Sequence, residues 1–63
     1  MTNKTAIEQY EQRLAEARAL LEKIAERLEA HSARAHARPH DWGFVGSLGE
    51  VVELLGEAER IIR

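Results

Sequence analysis

Ile7, Tyr10, Leu14, Ala17, Leu21, Ile24 and Leu28 follow one another along this chain at alternating steps of three and four. No other feature restricts the fold so far. A helix turns about once per 3.6 residues, so this spacing gathers apolar side chains on one face; a strand would need alternation every second residue. Written as heptads, Ile7, Leu14, Leu21 and Leu28 take the a positions, and Tyr10, Ala17 and Ile24 take the d positions. The residues between are mostly Ala, Glu, Arg, Lys and Gln, the strongest helix formers. Thr5 with Glu8 supplies a T-x-x-E capping box where the pattern begins.

The apolar rhythm weakens at His31. In "HSARAHARPHD" the seam positions become His31, Ala35 and Arg38, which do not argue for burial. Pro39 disfavours helical geometry at Arg38, so the first helix is expected to end between Ser32 and Arg38. A second seam then runs through Phe44, Leu48, Val51, Leu55, Ala58 and Ile62. Asp41 is the preferred N-cap; Ser47 with Glu50 would give a later start. Glu57 with Arg60, and Glu59 with Arg63, are spaced to support the last turns. The expected fold is therefore all-α: helix 1 over about 5–35, a connector over about 36–41, and helix 2 over about 42–63. These would form one helical-hairpin domain that dimerises into a four-helix bundle. No period-two stretch points to a sheet.

The two helices differ in how much apolar surface they carry. Helix 1 has a narrow stripe flanked by Arg13, Arg18, Arg27 and Arg34, with Leu20 the one large apolar exception. Helix 2 is apolar on its seam and on both shoulders: Val45 and Val52 on one side, Leu54 and Ile61 on the other. Such a helix needs two or more neighbours, and a lone hairpin supplies one. Covering each large side chain is worth about 1.5–3 kcal/mol. A chain of 63 residues is marginal by itself, and with no cysteine it has no disulfide staple. Association with a second copy is the expected remedy, through Val45, Leu48, Gly49, Val52, Leu54, Leu55, Gly56, Ile61 and Ile62. Gly49 and Gly56 lie one heptad apart beside the valines, where small residues let another backbone approach. Each costs about 1 kcal/mol relative to Ala inside a helix, a cost that close packing would offset.

Catalytic and ligand-binding signals are weak. The G-x-x-G-x-x-G at residues 43–49 lacks both the spacing and the preceding strand of a dinucleotide fingerprint, and it lacks the Walker lysine. His31, His36, His40 and Asp41 cluster near the connector, and His36 with His40 has the i, i+4 spacing that zinc would use on an intact helix. Pro39 interrupts that helix, so a solvated polar connector is the expected reading. Glu22 with Glu26, and Glu53 with Glu57, read as solvated faces rather than acid–base pairs, and Tyr10 reads as core. Trp42 is expected to plug the connector end of the core; an exposed anchor for a partner protein is its alternative.

These features exclude little but favour one class. No enzyme activity and no cofactor are expected. The formal net charge of −2 runs against a basic nucleic-acid-binding domain. The start "MTNKTAIEQYEQRL" has no apolar core for a secretory signal, and no run approaches the ~20 apolar residues of a membrane span. The expected protein is a cytoplasmic, homodimeric interaction module that meets another protein through its polar surface. A nucleic-acid regulator working through the arginine-flanked side of helix 1 is the alternative.

Overall fold

The computed structural model of the chain describes residues 5–63. Among them the fold is all-α, a helical hairpin: α1 spans Ala6–Ala37, α2 spans Gly43–Ile62, and residues 38–42 connect them. The chain divides into two units, one ending at Ala30 and the other running from His31 to Arg63.

The described part of the first unit is a single length of α1. Thr5 caps it: its Oγ1 accepts a hydrogen bond from the Glu8 N–H at 3.2 Å, and its carbonyl accepts the Gln9 N–H at 3.1 Å. The seam read from the sequence shows only in part in the burial pattern: Leu14, Ile24 and Leu28 are half-buried, whereas Ile7, Tyr10 and Leu21, and Leu20 beside them, stay mostly exposed, so Tyr10 is not a core residue. Arg13 turns along its own helix to Glu16, at 3.2 Å.

The second unit holds the last turns of α1, the corner and all of α2. Here α1 runs to Ala37, inside the range expected from the sequence and two residues beyond its approximate end at 35: the alanines at 33, 35 and 37 favour helix, and Pro39 disfavours helical geometry at Arg38. The corner is closed by backbone hydrogen bonds from Arg38 N–H to the Ala35 carbonyl (3.1 Å) and from Asp41 N–H to the Arg38 carbonyl (3.0 Å).

Three expectations change in this unit. His31 does not fall off the seam: its ring packs edge-on against Phe44, with centroids 5.3 Å apart and planes at 79°. A flat imidazole can present an edge to an aromatic neighbour, which a reading by polarity alone misses. Ala35, one turn later, is also half-buried. Trp42, by contrast, is 79% exposed and does not plug its own corner. It has helical backbone angles (φ −69°, ψ −12°) two residues before Phe44, which places the two rings on nearly opposite sides of the helix. Finally, α2 starts at Gly43 with Trp42, not Asp41, in the N-cap position; Asp41 stands one residue further out, and its Oδ1 accepts the Gly43 N–H at 2.9 Å. Ser47 does not start the helix. Glycine suits position 43 because a Cβ there would stand 3.0 Å from that same Oδ1.

Candidate functional site

Among the described residues, none is buried. That fact defines the candidate site, which is the apolar surface that the second unit leaves in water.

The proposed interface residues fall into two groups. Leu55 and Gly56 are half-buried, as is the seam residue Val51. Val45, Leu48, Val52, Leu54, Ile61 and Ile62 are exposed, from 41% for Leu48 to 83% for Ile62. The exposed group takes in both shoulders and the far end of α2, and also Leu48 on the seam itself.

The glycines sharpen this picture. No glycine has a positive φ, so backbone conformation does not explain Gly49. A Cβ at Gly49 would meet nothing within 4 Å, and one at Gly56 would meet only the Arg60 guanidinium, at 3.7 Å. Contacts within the chain therefore do not require glycine at either position. Along the stripe Val45, Gly49, Val52, Gly56 the first three positions are exposed and the last is half-buried.

The charged side chains form a pattern of their own. Among the described residues two ion pairs form, Arg13 with Glu16 and Glu59 with Arg63, the latter at 2.8 Å. Glu59 holds the Arg63 guanidinium above its ordinary pKa through their hydrogen bonds. The expected pairing of Glu57 with Arg60 does not form. Arg34 and Arg38 have no ion-pair partner among the described residues, nor do Glu50, Glu53 and Glu57. Arg34 and Arg38 border an open notch of about 350 Å³ that also takes in Ala37 and Phe44.

The histidines do not converge. His36 Nδ1 donates to the Ser32 carbonyl at 2.8 Å, turned back along its own helix, while His31 faces Phe44. Among the described residues no group of three or more His, Asp or Glu side chains is placed to hold a metal ion. Nor is any helix there long and apolar enough to cross a membrane. No protein-family model, curated protein or solved structure matches the chain.

Proposed function

We propose that this protein is a non-enzymatic self-association module, two copies of which pack as a four-helix bundle and offer a polar outer surface to other proteins. One observation carries the reading: Val45, Val52, Leu54, Ile61 and Ile62 each keep more than half of their surface in water. Each is worth about 1.5–3 kcal/mol once fully covered, and folded domains are stable by only about 5–15 kcal/mol in total. The open stripe at Gly49 and Gly56 supports the same reading, since two glycines inside a helix weaken it unless a neighbour comes close. A symmetric dimer is the commonest way to cover such a face.

Sedimentation equilibrium across a wide concentration range tests this. The expected result is a dimer of a 7.1 kDa chain that dissociates on dilution with loss of helix. A folded monomer at every concentration would overturn it.

A further inference from the structure

The second unit is electrically lopsided, and this bears on how two copies meet. At the corner, Arg34 and Arg38 border the same notch, with no ion-pair partner among the described residues, beside the apolar floor of Ala37 and Phe44. The nearby acid, Asp41, is engaged by the Gly43 N–H. Further along α2, Glu53 and Glu57 stand one turn apart with no ion-pair partner among the described residues, followed on the same ridge by Ile61, 82% exposed. Side chains four apart on a helix are neighbours at about 5–6 Å, so Glu53 and Glu57 present two carboxylates side by side, while Arg34 in the last turn of α1 and Arg38 just past its end present two cations on the rim of one notch. The apolar parts match as well: a floor of Phe44 and Ala37 at the corner, and a protruding Ile61 on α2.

We infer that the two copies lie head to tail, with Glu53 and Glu57 of each against Arg34 and Arg38 of the partner subunit. This rests on the self-association reading and adds an orientation to it. The opposite arrangement sets cation against cation at the corners and carboxylate against carboxylate along α2, and like charges held together oppose association. Head-to-tail packing resolves both at once, and a two-fold axis makes the contact twice.

The chain has no cysteine, so a nitroxide label on an Arg63→Cys variant reports one distance per dimer. Head-to-tail packing puts the labels roughly 40 Å apart, taking 1.5 Å of rise per residue from the Glu53–Glu57 contact. Side-by-side packing with corners together puts them within roughly 20 Å, a little over one interhelical spacing. A dimer with the short distance overturns the orientation and leaves self-association standing. No dipolar coupling, with a monomer in sedimentation, overturns both. A charge exchange gives an independent check. Arg34→Glu with Arg38→Glu should weaken association at least tenfold, and adding Glu53→Arg and Glu57→Arg should recover most of that loss. No recovery, in a variant whose circular dichroism remains helical, would overturn the proposed pairing.

Discussion

The part of α1 up to Ala30 and the helix α2 are both regular, yet different terms hold them. The first carries its support within its own sequence: a Thr5 cap, helix-forming residues throughout, no glycine or proline, and an ion pair along its surface. The second has three internal glycines, Gly46, Gly49 and Gly56, and a run of β-branched residues, all poor helix formers. In exchange it carries most of the exposed large apolar side chains among the described residues. A helix built that way gains most of its stability from what covers it. In this molecule, then, local propensity and the need for a neighbour are separated along the chain.

A charge placed on the open stripe should show this contrast most strongly. Val52→Asp should weaken self-association by 100-fold or more, since a buried unpaired carboxylate costs at least several kcal/mol. Ala19→Asp, on the outer face of α1, should change it less than threefold; sedimentation of both variants reads the difference. Gly49→Ala makes a finer cut, because its two effects have opposite signs. In an uncovered α2 it should raise stability by up to about 1 kcal/mol through helix propensity. Under close packing the added methyl should weaken association, by about tenfold, and that is the outcome expected in a dilution series followed by circular dichroism. Thr5→Ala should cost about 1 kcal/mol, the usual worth of an N-cap, and fray the start of α1 without altering the dimer constant. Glu59→Gln should be the mildest: the pair with Arg63 is solvent-exposed, and no measurable change in melting temperature is expected.

The legible parts of the fold were those set by local rules. The two helices, the Thr5 cap, the half-buried parts of the seams and the Glu59–Arg63 pair all follow from spacing within one or two turns. What escaped depends on where α2 begins. Shifting its first residue by one rotates every side chain by about 100°, which decides whether Phe44 or Trp42 meets α1. His31 escaped because its place on the seam depends on the aromatic partner that this choice delivers. The candidate site was legible in part. Excess apolar surface on α2 could be read from its pattern, whereas the matched pairs Arg34–Arg38 and Glu53–Glu57 emerged only once neither was found with a partner.

The corner at 38–42 has a further consequence. Continued through it without a break, the α1 seam would pass Leu28, His31, Ala35, Arg38 and Trp42 and emerge on Val45, Gly49, Val52 and Gly56. A single long rod would therefore zip together on glycines, and Pro39, lacking an N–H and crowding the carbonyl of Ala35, would cost such a rod about 3 kcal/mol. The change of frame and the proline both work against the extended, helix-exchanged form into which short-looped hairpins can otherwise open.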